Sequence, residues 1–253
     1  MITEKRLNEL GFRYGKSGAH TSRSMMIKEL QILLFGRPES ATLDDYRQDI
    51  EEFNVLQKPT ENARKYTFQP IASLYGLSPE IPLFSVFRRW WELSGESQYV
   101  LALQLAVARD PLLRSSAELI LQLEPGEHLP RETMEAFLAK DDSERFSAAS
   151  LKSFAQNVNG TWTQAGYLIG KAKKYREMVN ISYVNVAYAL FLGHCHGLSG
   201  QRLFDSFWCQ MLAQDKERLY ELAYRASLKG LINFKQASEV VEVTFPNIDL
   251  PEV

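Results

Sequence analysis

Cysteine is scarce: Cys195 and Cys209 are the only two in 253 residues. That is too few for a disulfide scaffold and fits a reducing compartment. No apolar run approaches the roughly 20 residues that span a bilayer. The opening MITEKRLNEL lacks the apolar core of a signal peptide. These absences set the expectation of a cytoplasmic protein with no membrane contact. Marks of enzymes are equally thin. Gly15-Lys16-Ser17-Gly18 has neither Walker spacing nor a preceding strand, so it reads as a flexible loop. His194-Cys195-His196 are consecutive and diverge, with no second pair at finger spacing, so no metal is expected. His196 is expected instead near the terminal carbonyls of a helix ending at Gly193. Cys209 has no local base and is expected to be a buried thiol. Glu51-Glu52 and Asp141-Asp142 read as solvated charges. With no convergent His/Asp/Ser or carboxylate set, the expectation is a non-enzyme without cofactors.

Net charge is also small, −2 from 29 Lys+Arg against 31 Asp+Glu, and does not point to nucleic acid by itself. The charge is unevenly placed, however. Residues 145–176 hold Arg145, Lys152, Lys171, Lys173, Lys174 and Arg176 with no Asp or Glu, a local +6. Ser147 can cap a helix on which Leu151, Phe154, Ala155 and Val158 recur at helical spacing. Gly166 stands where a glycine ends such a helix. Tyr167-Leu168-Ile169-Gly170 then forms a short strand or turn before the lysines. This is the outline of a recognition helix followed by a basic wing. Lys152, Ser153, Gln156, Asn157, Asn159 and Thr163 lie largely off the apolar stripe, and such side chains can contact bases and phosphates. A solvated helix with a charged turn is the plain alternative.

A second cationic stretch, residues 11–28, carries Arg13, Lys16, Arg23 and Lys28 without an acid. Lys16, His20, Arg23 and Lys28 are expected to form a second phosphate-contacting patch. The competing expectation pairs Arg23 with the acidic helix around 44–52. Arg88-Arg89 among Phe84, Phe87, Trp90 and Trp91 could stack on bases, but the aromatic spacing favours core packing with arginines at the rim.

The spacing of apolar residues predicts helices over 22–35, 43–56, 68–75, 83–93, 98–108, 112–123, 132–140, 147–165, 182–193, 203–213 and 215–229. After Gly230 the period changes to alternation, predicting a β-hairpin over 231–245 around the turn Gln236-Ala237-Ser238-Glu239. Leu77-Ser78-Pro79 and Pro82 mark a joint between a small N-terminal helical domain, 1–77, of helix-turn-helix type and a larger one, 78–253. The fold class expected is mainly α, with helix-turn-helix or winged-helix-like elements and a C-terminal β-hairpin.

Thr21-Ser22-Arg23, Phe146-Ser147 leading into Leu151-Lys152 and Asn157, Trp162, Gly166-Tyr167-Leu168 and Val243-Thr244-Phe245 form a scattered set over most of the chain. In these residues the sequence resembles the A component of BREX phage-exclusion systems, although it is longer than expected of that family. The resemblance implies a DNA-binding accessory protein of a bacterial defence locus, with a helical domain likened to the antitermination factor NusB. It implies other defence-system proteins as partners, and carries over no catalytic residue. Its nucleic-acid role maps onto Arg23 and 147–157. The favoured expectation is double-stranded DNA binding, mostly through phosphates, with a homo-oligomer left open. An interaction scaffold without nucleic-acid contact and a NusB-like RNA-binding module are the alternatives.

Overall fold

The computed structural model describes residues 2–15, 18–140, 146–237 and 240–250. Lys16 and Arg145 of the expected site, and Ser238 and Glu239 of the expected turn, lie outside the described residues. The architecture is mainly helical. In chain order it runs α1 (Glu4–Leu10), α2 (Ile27–Leu34), α3 (Leu43–Glu51), α4 (Glu61–Tyr75), α5 (Pro82–Trp91), α6 (Gln98–Arg109) and α7 (Pro111–Gln122). Then come β1 (His128–Leu129), α8 (Arg131–Ala139), α9 (Ala148–Gln164), β2 (Leu168–Ile169) and β3 (Lys174–Arg176). The chain continues with α10 (Tyr183–Cys195), α11 (Phe207–Gln210), α12 (Lys216–Leu228), β4 (Asn233–Ala237) and β5 (Val240–Thr244).

Two helices that are apolar nearly all round, α6 and α10, make the centre. Every residue from Val100 to Arg109 and from Val184 to Gly193 is buried, as such a composition requires. Gln104 on α6 donates to the Asn185 carbonyl of α10 at 2.8 Å, and the Asn185 amide donates to the Ser97 carbonyl at 3.3 Å, so the two buried amides of this apolar layer are paired. The joint expected at 77 is crossed by this core: Tyr46 packs edge-on to Phe84 and Tyr75 stacks on Phe87. From α6, Arg109 donates back to the carbonyls of Gly11 and Ser73.

Helix starts follow their caps. Thr42 and Asp45 close a capping box on α3, Asp110 accepts from Leu112 and Leu113 at the head of α7, and Ser182 and Asn185 box α10. The expected helix 22–35 begins only at Ile27. Residues 23–26 are non-helical, Met26 is left-handed at φ 50°, and the Met25 backbone is held by Thr161 and Tyr75. The helix expected to 56 stops at Glu51, because the Asn54 side chain closes a loop on Lys58. The expected 68–75 helix starts at Glu61, capped by Thr60, and runs through Pro70. The expected 203–213 helix is broken: Gly200–Leu203 is a 3-10 turn, and Ser206 caps a separate α11. Pro130 stands at the cap position before α8.

The sheets are antiparallel. The first has the order β1-β3-β2, with Ile169 opposite Tyr175 and His128 opposite Tyr175 on the other side. The second is the C-terminal hairpin β4-β5, in which Val241 and Val243 are buried between exposed neighbours. No described helix is long and apolar enough to cross a membrane.

Candidate nucleic-acid interface

Helix α9 has two faces. Ala155, Val158 and Trp162 are fully buried, and the Trp162 indole N–H donates to Ser116 Oγ at 2.8 Å. Lys152, Ser153 and Gln156 stand exposed on the other side, at spacings that share a helix face. Ser147 caps the helix through the Ser150 N–H, and Gly166, at φ 85°, turns the chain into β2. The β2–β3 turn depends on Gly170. Its φ is 98°, and a Cβ there would collide with the Lys173 carbonyl. Lys171 and Lys173 are exposed on this turn.

The turn folds over the polar face of α9. Gln156, Asn159 and Gly160 line a cleft of about 540 Å³ together with Lys171, Lys173 and Lys174. Its third wall is β1 and the start of α8, including His128 and Arg131. Arg131 is bridged to Glu132 and Glu135 at 3.0 and 2.7 Å, so the lysines carry the uncompensated charge. Nothing in the sequence marks His128 or Arg131 as part of this site. Two-residue strands have no periodic signature, and only the β1–β3 pairing brings these residues to the turn.

The second expected patch adjoins the first instead of standing apart. Ser24 packs on Gly160 and accepts from the Gln164 amide at 3.0 Å. Arg23 is therefore carried along α9, where it is exposed and lines an open groove with Tyr66 and Gln69 of α4. The expected pairing of Arg23 with the acidic helix is not what is found: Asp44 is held by Arg47 and Asp49 by Arg37. Lys28 is exposed on α2 and lines neither cleft.

Other expected contacts turn inward. His20 is fully buried: its backbone N–H and Nδ1 meet Asp110 Oδ2 at 2.9 and 2.8 Å, and Nε2 meets Thr161 Oγ1 at 2.7 Å. Asn157 is half-buried and donates to the His20 carbonyl at 3.1 Å. Arg176 is 4% exposed, lies 5.1 Å from the Tyr167 ring centre, and donates to the Tyr167 and Glu177 carbonyls. Lys174 is half-buried, bonded to the Gly170 carbonyl at 2.6 Å, and burial lowers its pKa. His20 and Arg176 thus hold the scaffold and do not reach a phosphate. Of the expected set, Arg23, Lys28, Lys152, Ser153, Gln156, Lys171 and Lys173 remain on the surface.

The hydroxyl–imidazole–carboxylate chain Thr161–His20–Asp110 has the wiring of a nucleophile relay. All three side chains are sealed at 0% exposure, and Thr161 Oγ1 is occupied by the Met25 N–H. Burial pushes the Cys195 and Cys209 thiols up to about 12, which leaves them unreactive. His196 sits over its helix end, with Nδ1 at 2.9 Å from the Leu192 carbonyl, and among the described residues no three His, Cys, Asp or Glu gather as metal ligands. Trp90 and Trp91 are core residues, but of the two arginines expected at the rim only Arg89 is exposed; Arg88 is buried, its guanidinium donating to the Leu34 and Arg37 carbonyls. Compared with models of known protein families and with curated proteins, the chain matches none.

Proposed function

We propose that this chain is a non-enzymatic, double-stranded DNA-binding accessory protein, and that it serves a bacterial anti-phage system of BREX type. The observation that carries the DNA reading is the cleft in which Gln156 of α9 faces Lys171 and Lys173 of the β2–β3 turn. A helix with an exposed polar face beside a hairpin bearing lysines offers base-reading and phosphate-neutralising groups on one side of the molecule. Arg23, brought beside α9 by Ser24, extends the cationic surface. The defence assignment rests on the resemblance to the BREX A component in the residues given above. Anisotropy titration of a labelled 20-base-pair duplex, with structured RNA as competitor, tests the proposal. Duplex binding that RNA does not displace supports it, and preference for RNA would transfer the interface to the RNA-binding alternative.

The scaffold alternative has its own observation. Phe35 and Phe53 are 86% and 66% exposed, aromatic surface of the sort that meets partner proteins. A folded protein with no affinity for either nucleic acid would favour it.

A further inference from the structure

We propose that the exposed face of α2, together with the loop that follows α3, is the surface at which two copies of this chain pair about a two-fold axis. Helix α2 hides one side and bares the other. Leu30, Leu33 and Leu34 are buried, while Lys28, Ile32 and Phe35, spaced four and three apart, stand exposed on the opposite face. Ile32 and Phe35 are 49% and 86% exposed. Single apolar side chains on a surface are ordinary, but these two have company. Lys58 reaches Glu29 at 3.1 Å, and Arg37 holds the side chain of Asp49, whose carbonyl accepts from the Val55 N–H at 3.0 Å. The loop is thus fastened to α2 near both ends of the helix, and the exposed Phe53 and Val55 come to the side of Ile32 and Phe35. An apolar patch of this kind with a charged rim marks a docking surface.

The charges say which partner fits. The loop runs antiparallel to α2, from Asp49 beside Arg37 to Lys58 beside Glu29. Lys28 therefore stands at the N-terminal end of the exposed face and Glu52, next to Phe53, at the other. Both are exposed, and neither has an ion-pair partner among the described residues. An apolar centre with a cation at one end and an acid at the other is self-complementary. Turned through a half-circle about an axis at Ile32 and Phe35, Lys28 of one copy meets the partner's Glu52, and the same contact forms a second time by symmetry. A partner of one charge sign, such as a basic peptide or an anionic lipid surface, would meet one end and be repelled by the other. Phe35, the most exposed of the apolar group, sits near the axis, where an aromatic anchor contributes most. The pairing stands apart from the nucleic-acid reading, since Lys28 lines neither cleft.

Sedimentation velocity of the full chain tests the pairing, over about 1 to 100 μM, where a modest interface associates. The expected result is a monomer–dimer equilibrium without larger species, because a two-fold contact closes on itself. Phe35→Asp should raise the dissociation constant at least about tenfold, since it places two like charges at the axis. Lys28→Glu and Glu52→Lys should each weaken pairing about tenfold, because each reversal makes two contacts repulsive. The double variant Lys28→Glu/Glu52→Lys should restore it. Such a rescue requires that the two residues meet across the interface, and it decides the matter if Phe35→Asp does not fold. A chain that stays monomeric throughout overturns the proposal. So does a dimer indifferent to Phe35→Asp, a double reversal that restores nothing, or growth into open polymers. A monomer that instead takes up a synthetic Leu/Lys amphipathic helix, with uptake lost in Phe35→Asp, gives the face to another protein and overturns the pairing as well.

Discussion

Asp110 holds His20 by two bonds, accepting from its backbone N–H at 2.9 Å and from its ring Nδ1 at 2.8 Å. The same carboxylate caps α7 through Leu112 and Leu113, each at 3.0 Å. One side chain thus fixes both the head of a core helix and the segment that leads to Arg23. Beyond His20, Thr161 ties that segment to α9, so the surface groups of the two cationic stretches are positioned from a common buried point.

Replacing Asp110 by Ala should be severe. It leaves a buried imidazole and two helix N–H groups without partners, and breaking such a pair costs about 3–5 kcal/mol. Urea denaturation at pH 7 measures it. A cost under about 1 kcal/mol, the size of an ordinary exposed pair, would show that the network is not holding the fold.

The same carboxyl predicts a pH dependence. Burial alone would raise its pKa, but the hydrogen bonds from His20 and Leu113 outweigh burial and hold it below the usual value. A depressed pKa contributes stability that is present above the unfolded value of about 3.9 and is lost as pH falls through the lower folded value. The gap in stability between the wild type and Asp110→Asn should therefore be full at pH 6 and shrink below about pH 4. A gap that widens with acid would reverse the assignment.

Gly18 adjoins this point. A Cβ built on it meets the Asp110 carboxylate, so Gly18→Ala should force His20 and Asp110 apart and lower Tm. Gly15→Ala meets nothing within 4 Å but has φ 106°, so only its backbone strain, about 1–2 kcal/mol, should appear. Equal melting shifts for the two would deny the close approach at Gly18.

Arg176 and the turn lysines separate scaffold from surface. Arg176→Ala should cost about 1–3 kcal/mol of stability, from lost buried hydrogen bonds, and leave the duplex affinity of the folded protein unchanged. Thiol labelling gives an independent check on the core. Cys195 and Cys209 should resist alkylation at pH 8 until denaturant unfolds the chain, since burial holds both near 12. Rapid labelling of the native protein would show the core open at α10 or α11.

What the sequence made legible was local. Ser147 and Gly166 bracket α9 to within a residue, and the alternation of Val241, Glu242 and Val243 announces the last hairpin. What it hid was non-local. His20 finds Asp110 at a separation of 90 residues and Thr161 at 141, and no count of nearby charge shows that it turns inward. Arg176 belongs to a basic run, yet in β3 it faces opposite to the exposed Tyr175, a matter of register that only the pairing with β2 decides. The break at Ser206 escaped because the apolar spacing of 203–213 continues through it, while a serine cap restarts the helix. For the candidate site, Lys152, Gln156, Lys171 and Lys173 were readable as a patch. The wall built by His128 and Arg131 was not, because it arrives through a two-residue strand.

The central claim, that α9 and the β2–β3 turn form the duplex-binding surface, is tested most directly by the salt dependence of duplex affinity in a Lys171→Glu/Lys173→Glu double variant. If the exposed Arg23, Lys152, Lys171 and Lys173 each neutralise one phosphate, the wild type should show a slope of about −3.6 in log affinity against log salt, from roughly 0.9 per contact. The double variant should weaken binding to all duplexes alike and flatten the slope to about −1.8, or further if the new glutamates repel the backbone. A folded double variant that keeps the wild-type affinity and slope would contradict the account and remove this surface from any DNA contact.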